Sequence, residues 1–175
     1  LTANNRVREL AEQARRFHPA AVVIANEARL DELRTLLADM PDVKVYAGAR
    51  AIDEIVEAGP IDMVLTAMVG FAGLSPTIRA IKARKKICLA NKETLVAGGR
   101  LITDTARRCG GRLIPVDSEH TAIFQCIQGE EQNKIKTILL TASGGPFFGK
   151  TRAETEHAEV AKALAHPKWN MGQKI

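Results

Sequence analysis

Residues 62–91, DMVLTAMVGFAGLSPTIRAIKARKKICLAN, decide the fold because strand-like and helix-like patterns alternate within them. Both ends, residues 62–70 and 85–91, contain short runs of apolar residues, which are typical of strands buried on both faces. The middle repeats apolar residues at helical spacing, and we expect Ser75 to cap this helix with Pro76 at its first position. A strand, a helix and a second strand in this order predict a parallel β-α-β unit.

The rest of the chain continues the alternation. Residues 1–5 look like the tail of a strand. Further strands are expected at residues 20–26, 43–46, 111–117 and 135–143, and helices at residues 7–17, 27–40, 52–56, 94–108, 118–128 and 154–165. The sequence GEEQNK, at residues 129–134, is the best candidate for a domain boundary or loop. We predict an α/β protein with a doubly wound parallel sheet covered on both faces.

Composition and charge narrow the function classes. Lysine and arginine exceed aspartate and glutamate by five (25 against 20), which suggests an anionic partner such as nucleic acid or a phosphorylated small molecule. The basic residues are dispersed and not interleaved with aromatic residues, so we expect no nucleic-acid partner. No apolar run approaches the roughly 20 residues that span a bilayer, so no membrane association is expected. The odd number and wide spacing of Cys88, Cys109 and Cys126 favour reduced thiols in a cytoplasmic protein.

Polar clusters follow several of the predicted strands. Parallel α/β sheets bind ligands at the carboxyl ends of their strands, so polar clusters at such ends favour a ligand-binding protein. Because every loop is polar, no single cluster is informative, and the number of clusters is what favours a ligand-binding protein. The five clusters are TANNR (2–6), VGFAG (69–73), NKE (91–93), DSEH (117–120) and SGG (143–145).

The first cluster suggests which ligand binds. In dinucleotide-binding folds, the second strand ends in an acidic residue for an unphosphorylated ribose and in polar or basic residues for a 2′-phosphate. Asn4, Asn5 and Arg6 stand at such a place and include no acid, which favours NADP over NAD. The sequence contains no Gly-rich phosphate loop, so capping of the helix that begins near Val7 is an equally good explanation.

Asp117 and Glu119 are candidates for a metal site. In an extended segment, residues two apart point to the same side, so both carboxylates could meet one hard divalent cation. Ser118 and the start of the next helix could bind an oxyanion. The tetrapeptide alone favours the alternative, in which Asp117 or Ser118 caps the helix and Glu119 lies in its first turn.

Three other clusters leave functional and structural interpretations open. Ser143 with its two glycines suits a phosphate site or a simple turn. Lys92 could hold a substrate hydroxyl or phosphate, although a lone loop lysine is usually just solvated. His166, Trp169 and Met171 lie in a stretch flanked by proline and glycine that could be a lid over a ligand or part of a packed core.

Four motifs taken together carry a family resemblance. They are LANKETLV (89–96), PVDSEHTAIFQC (115–126), LLTASGGPF (139–147) and HPKWNMGQKI (166–175). In this order they resemble the 1-deoxy-D-xylulose 5-phosphate reductoisomerases, the NADPH- and metal-dependent enzymes of the non-mevalonate isoprenoid pathway. The resemblance covers nearly all of the chain and implies a Rossmann-like NADP-binding domain over residues 1–116, followed by the beginning of an α/β catalytic domain over residues 117–175.

The resemblance also implies roles for individual residues. Asp117 and Glu119 would bind Mg²⁺ or Mn²⁺, with Co²⁺ as a further option. Residues that would contact the phosphorylated sugar substrate are Lys92, Ser118, Glu119, Ser143 and His166, with Ser143 at the phosphate. Residues on the NADPH side would be Asn91, Glu93, Met171 and Gly172, together with Asn4, Asn5 and Arg6, which match the family's loop less cleanly. Trp169 and Met171 would belong to a flap that closes the site.

The implied activity is the conversion of 1-deoxy-D-xylulose 5-phosphate to 2-C-methyl-D-erythritol 4-phosphate by a homodimer. In the family's chemistry, a divalent ion polarises the ketone and hydroxyl oxygens, the carbon skeleton rearranges, and NADPH delivers hydride to the aldehyde. Two alternatives stay open. One is another NADP-dependent oxidoreductase of related fold, and the other is a non-catalytic nucleotide-binding relic.

We expect the 175-residue chain alone to have little or no activity. The family's Gly-rich NADPH loop would lie before Leu1 and its third metal-binding carboxylate beyond Ile175, so this chain would carry only part of each site. NADPH oxidation by the isolated chain, with substrate and Mn²⁺, measures this directly. Full turnover would contradict the expectation.

Overall fold

The structure is a computed structural model, and it describes residues 1–130, 132–141 and 144–167. The chain divides into two compact units, Leu1–Gly129 and Glu130–Ile175. The first unit consists of parallel strands alternating with helices, which confirms the predicted α/β class. The predicted division of function at residues 116 and 117 stays a prediction.

The first half of unit one is a three-stranded parallel sheet with strand order β1-β2-β3. Its elements are β1 (Thr2–Ala3), α1 (Val7–Phe17), β2 (Ala21–Ile24), a 3₁₀ turn (Glu27–Arg29), α2 (Leu30–Leu36), β3 (Lys44–Ala47) and α3 (Ala49–Ile55). Buried apolar residues of α1, β2 and α2, such as Leu10, Ile24 and Leu33, form one core. Burial of these side chains, at about 1.5–3 kcal/mol each, is the main term that holds the helices on the sheet. Helix α1 ends where predicted, with His18 in the left-handed conformation before Pro19.

The second half repeats the arrangement with strand order β4-β5-β6. Its elements are β4 (Met63–Thr66), a 3₁₀ turn (Gly70–Gly73), α4 (Leu74–Lys82), β5 (Lys86–Leu89), α5 (Lys92–Cys109), β6 (Arg112–Pro115) and α6 (Ser118–Cys126). Ile81, Ile87 and Ile102 are fully buried in its core. Parallel pairing sets Leu89 of β5 beside Pro115 of β6, so these two strands end side by side. Helices α5 and α6 therefore begin at the same edge of the sheet.

The structure differs from the prediction in how the sheet is built. One sheet covered on both faces is expected, but the hydrogen bonds define two three-stranded sheets. On β4, Met63 and Leu65 remain exposed. Among the residues that the structure describes, no strand pairs with the outer edge of β1 or of β4.

The start of α4 also differs from the prediction. The helix begins at Leu74, directly after the 3₁₀ turn, and Ser75 does not cap it. Instead the Ser75 hydroxyl donates to Asp53 Oδ2 at 2.7 Å, which ties α4 to α3. Pro76 still lies in the first turn, where its missing N–H has no helical partner to lose.

Two predictions for the second unit are wrong. Residues 135–141 are not a strand, because a strand needs a neighbour for its hydrogen bonds and no described strand lies beside them; Leu139 is 87% exposed. The helix expected at residues 154–165 is two short helices, α7 (Arg152–Thr155) and α8 (Val160–Leu164). Neither buries a side chain, so no packing supports a longer helix.

A buried hydrogen-bond network joins the loop after β4 to the start of α5. Asn91, which is 1% exposed, caps α5 by accepting from Thr94 N at 3.2 Å. Its amide nitrogen donates to the carbonyl oxygens of Met68 and Gly70. Gly73 packs against this network with no room for a side chain, since a Cβ there would lie 2.8 Å from Asn91 Oδ1.

We expect Gly73→Ala to lower the free energy of unfolding by about 1–3 kcal/mol, because the added methyl forces the buried network apart. The matched control is Gly99→Ala, whose Cβ would meet no atom within 4 Å. Alanine is the better helix former, so this control should be neutral or stabilising by up to about 1 kcal/mol. Urea unfolding of both variants measures the difference, and equal stabilities would contradict the prediction.

Candidate functional site

The candidate site lies where β5 and β6 end and α5 and α6 begin. Lys92 is the first residue of α5, and Asp117 is the N-cap of α6. Ser118 and Glu119 are the first two residues of α6. The parallel pairing of β5 with β6 thus brings together four residues that are 27 positions or less apart in sequence.

An ion pair between Lys92 and Glu119 is the central contact of this site. Lys92 Nζ donates to Glu119 Oε2 at 3.0 Å, and both side chains are about half exposed. The hydrogen bond and charge of Glu119 raise the pKa of Lys92, and the same contact lowers the pKa of Glu119. Because water screens the pair, its contribution to stability is modest.

Asp117 is the most buried carboxylate of the site. Its side chain is 9% exposed, and Oδ1 accepts from His120 N at 3.0 Å while Oδ2 lies 2.5 Å from His120 Nδ1. Burial opposes ionisation, but the hydrogen bonds from His120, with the charges of His120 and Lys92, outweigh burial and lower the pKa of Asp117. His120 was not predicted as a site residue, although a histidine three residues after a capping aspartate lies where it can contact that carboxylate.

The prediction that Asp117 and Glu119 share one side of an extended segment is wrong in its geometry. Asp117 caps α6 and Glu119 lies in the first turn, as the alternative interpretation expected. Both carboxylates nevertheless interact with the charge of Lys92. Capping and charge clustering are therefore compatible at this helix start.

These carboxylates fit a hard divalent cation by the chemistry of their donors. Oxygen ligands suit Mg²⁺ and Mn²⁺, and lowered pKa values keep Asp117 and Glu119 ionised at neutral pH. Within residues 1–130, 132–141 and 144–167, no three His, Cys, Asp or Glu side chains are grouped as a metal cage. The metal-binding role of Asp117 and Glu119 therefore stays a prediction.

The residues expected on the cofactor side lie at two places in unit one. Asn4, Asn5 and Arg6 follow β1, and Asn5 Oδ1 accepts from Asn26 Nδ2 at 2.8 Å. No side chain caps α1, so these residues do not serve the capping role that was the alternative. Asn91 and Glu93 lie at the start of α5, where the Asn91 amide also donates to Glu93 Oε2 at 3.1 Å.

The remaining predicted residues belong to unit two. His166 Nε2 lies 3.0 Å from the carbonyl oxygen of Gly144, in a contact within that unit. Ser143, Trp169, Met171 and Gly172 lie outside the described residues. The structure therefore brings together Lys92, Asp117, Ser118 and Glu119, while the roles predicted for all of the site residues stay predictions. No helix of the described residues combines the length and apolarity needed to cross a membrane.

Comparison with known protein families identifies two matching regions. Residues 1–99 match the family model of 1-deoxy-D-xylulose 5-phosphate reductoisomerase. Residues 113–175 match that of the 1-deoxy-D-xylulose 5-phosphate reductoisomerase C-terminal domain. Together the two models account for most of the chain.

Curated relatives with this name match the whole chain. The protein of Bacteroides thetaiotaomicron is 57% identical over 175 residues, and that of Porphyromonas gingivalis is 55% identical over 175 residues. In both cases the match covers 100% of this chain and 45% of the relative. The chain thus spans about half the length of the curated relatives it matches.

Solved structures show the same similarity. The reductoisomerase from Zymomonas mobilis in complex with NADPH has 41% identity and a TM-score of 0.88, covering 95% of this chain and 44% of its own. A DOX-P reductoisomerase in complex with NADPH, fosmidomycin and magnesium has 38% identity and a TM-score of 0.84. That match covers 99% of this chain and 45% of the solved one.

We expect Lys92→Ala to raise the pKa of Glu119 toward its ordinary value, because Lys92 is the largest cause of the lowered pKa. Glu119 stabilises the fold above the pKa of unfolded glutamate, about 4.3, and this contribution is lost as pH falls through the lower folded pKa. Lys92→Ala should therefore reduce the difference between the folded and unfolded pKa values of Glu119, and with it the contribution of Glu119 to stability. Carboxyl-detected NMR titration measures the shift, with Lys82→Ala as the control because Lys82 is not among the causes of the Glu119 shift. An unchanged Glu119 pKa in Lys92→Ala would contradict the ion pair.

Proposed function

This chain belongs to the 1-deoxy-D-xylulose 5-phosphate reductoisomerase family, and on that premise we propose that the full-length protein converts 1-deoxy-D-xylulose 5-phosphate to 2-C-methyl-D-erythritol 4-phosphate. NADPH would be the reductant and a divalent cation the metal cofactor. The observation that carries the proposal is the cluster of Lys92, Asp117 and Glu119 at adjacent strand ends. Such strand ends are where parallel α/β sheets bind their ligands.

Asp117 and Glu119 would hold the cation, which is Mg²⁺ or Mn²⁺, with Co²⁺ as a further option. When bound, the cation supplies Lewis-acid polarisation of the substrate oxygens, and NADPH supplies the hydride. The two His120 contacts fix the Asp117 carboxylate as the cap of α6, so its orientation is set before any ligand binds. This preorganisation is what a metal ligand requires.

Lys92 and Ser118 would position the substrate. In the structure, the Lys92 ammonium lies against the Glu119 carboxylate. If Glu119 held the cation, Lys92 would lose this partner, and its three N–H donors would be available to a substrate hydroxyl or phosphate oxygen. Ser118, in the first turn of α6, would donate its hydroxyl from the same helix start.

The remaining predicted residues complete the proposal. Ser143, at the substrate phosphate, and His166 would contact the substrate from the catalytic domain, residues 117–175. Residues on the NADPH side would be Asn4, Asn5, Arg6, Asn91, Glu93 and Gly172, together with Met171, which would belong with Trp169 to the flap that closes the site. The Asn91 side chain has internal partners for its oxygen and its nitrogen, so we assign it a positioning role on the cofactor side.

We also propose a cytoplasmic homodimer. The cytoplasmic assignment is supported by Cys88, Cys109 and Cys126, which are free thiols, as expected in a reducing compartment. The dimer rests on the family resemblance. Size-exclusion chromatography with light scattering on the full-length protein tests it.

The catalytic proposal is tested by following NADPH absorbance in the full-length protein with substrate and Mn²⁺. We expect Asp117→Asn to lower kcat/KM by about 100-fold or more, since even outer-shell partners of metal ligands cost 10–100-fold. Asparagine keeps an oxygen that can accept from His120 N, so α6 stays capped. The control is Asp31→Ala, because Asp31 is a 97% exposed carboxylate elsewhere.

Three outcomes would be informative. Loss of activity in Asp117→Asn with normal folding and a weakened Mn²⁺ affinity supports the metal role. Wild-type activity in Asp117→Asn would overturn that role and leave the reaction intact. No turnover by a folded full-length protein that binds NADPH would overturn the proposed reaction itself.

A further inference from the structure

An open pocket with a volume of about 380 Å³ lies between the loops that follow β1 and β2. Residues from both loops and from the adjoining helices line it: Asn5, Arg6, Val7, Arg8, Glu9, Arg29 and Glu32. Three of these residues are arginines and two are glutamates, so the lining carries an excess of positive charge. A cavity with several guanidinium groups suits an anionic group such as a phosphate.

The two loops are held in register by Asn26. Its side-chain oxygen accepts from Ala28 N at 3.1 Å and caps the 3₁₀ turn that ends at Arg29. Its side-chain nitrogen donates to Asn5 Oδ1 at 2.8 Å, and its backbone N–H donates to the carbonyl oxygen of Asn4 at 3.1 Å. Arg29 is therefore placed beside the Asn4–Arg6 cluster by hydrogen bonds and not by chance proximity of two surface loops.

Arg29 forms a surface ion pair with Glu32 that a ligand can displace. Its Nη1 lies 2.8 Å from Glu32 Oε2, and the two side chains are 49% and 40% exposed. A surface ion pair of this kind is held weakly, because water screens it and two long side chains must be ordered. A phosphate dianion offers a stronger, bidentate partner to the planar guanidinium. Replacement of the Glu32 contact by a contact with phosphate is thus favourable for the Arg29 guanidinium.

Resting on the proposed NADPH-dependent function, we infer that Arg29 binds the 2′-phosphate of NADPH and is a determinant of the preference for NADPH over NADH. Asn4, Asn5 and Arg6 come from the end of β1, whereas Arg29 comes from the neighbouring strand end. Glu32 holds Arg29 beside the pocket in the absence of cofactor. The same carboxylate repels the phosphate, so it limits the affinity.

The chain supplies a matched control for Arg29. Arg34 is also an arginine of this helical region, with Asp31 as its partner three residues away at 3.9 Å. It is 59% exposed and does not line the pocket. Any general effect of removing a positive charge from this surface should therefore be the same in Arg34→Ala as in Arg29→Ala.

The experiment uses the full-length protein and measures dissociation constants by calorimetry at low ionic strength. The ligands are NADPH and NADH, with 2′,5′-ADP and 5′-AMP as probes that differ by the 2′-phosphate alone. We expect Arg29→Ala to raise the dissociation constants of NADPH and 2′,5′-ADP about tenfold or more, because a charge-assisted hydrogen bond is lost. Binding of NADH and 5′-AMP should be unchanged, as should all four affinities in Arg34→Ala.

A second variant tests whether the Glu32 carboxylate weakens the binding of NADPH. Glu32→Gln removes the competing carboxylate and should tighten NADPH binding, with no change for NADH. Equal losses for NADPH and NADH in Arg29→Ala, no loss for NADPH, or weaker NADPH binding in Glu32→Gln would each overturn the role of Arg29 and leave the proposed function standing. A folded wild-type protein that binds neither NADPH nor 2′,5′-ADP would overturn both.

Discussion

The buried amide of Asn91 is the constraint on which the candidate site depends. Its oxygen accepts a hydrogen bond from Thr94 N at the start of α5, and its nitrogen donates to the carbonyl oxygen of Gly70 in the loop after β4. An amide so deeply buried is costly unless both ends are paired, and here they are. Because Asn91 immediately precedes Lys92, this network also fixes where the lysine leaves the sheet edge. The backbone position of Lys92 is thus set by a residue whose own side chain is hidden from solvent.

The charged groups of the site are one lysine and two carboxylates rather than a single ion pair. Lys92 interacts electrostatically with two carboxylates. Asp117 is 9% exposed and contacts His120, whereas Glu119 is about half exposed and contacts the lysine. The buried carboxylate has little freedom and the exposed one has more. Binding of the proposed cation would therefore require movement of Glu119 alone, which keeps the reorganisation small.

Periodicity in the sequence was sufficient to predict most of the fold. The strands β2 and β5 are short apolar runs followed by helices, and their buried packing follows from this local pattern. Residues 135–141 have the same pattern but no neighbour among the described strands, and pattern alone cannot supply a partner. For Asp117, helix capping and metal binding were treated as alternatives. Residue spacing does not show that the same carboxylate can cap a helix and also interact with a lysine from a neighbouring strand end. The Arg29 pocket was missed because it joins two loops that are distant in sequence.

The unpaired edge of β4 has a practical consequence for work with this chain. Its backbone N–H and C=O groups on that side have no partner strand among the described residues, and the neighbouring Met63 and Leu65 side chains are exposed. An apolar strand edge of this kind is a template for the strands of other molecules. A sample of the isolated 175 residues should therefore self-associate as its concentration rises, and charged substitutions at Met63 or Leu65 are the natural way to keep it in solution.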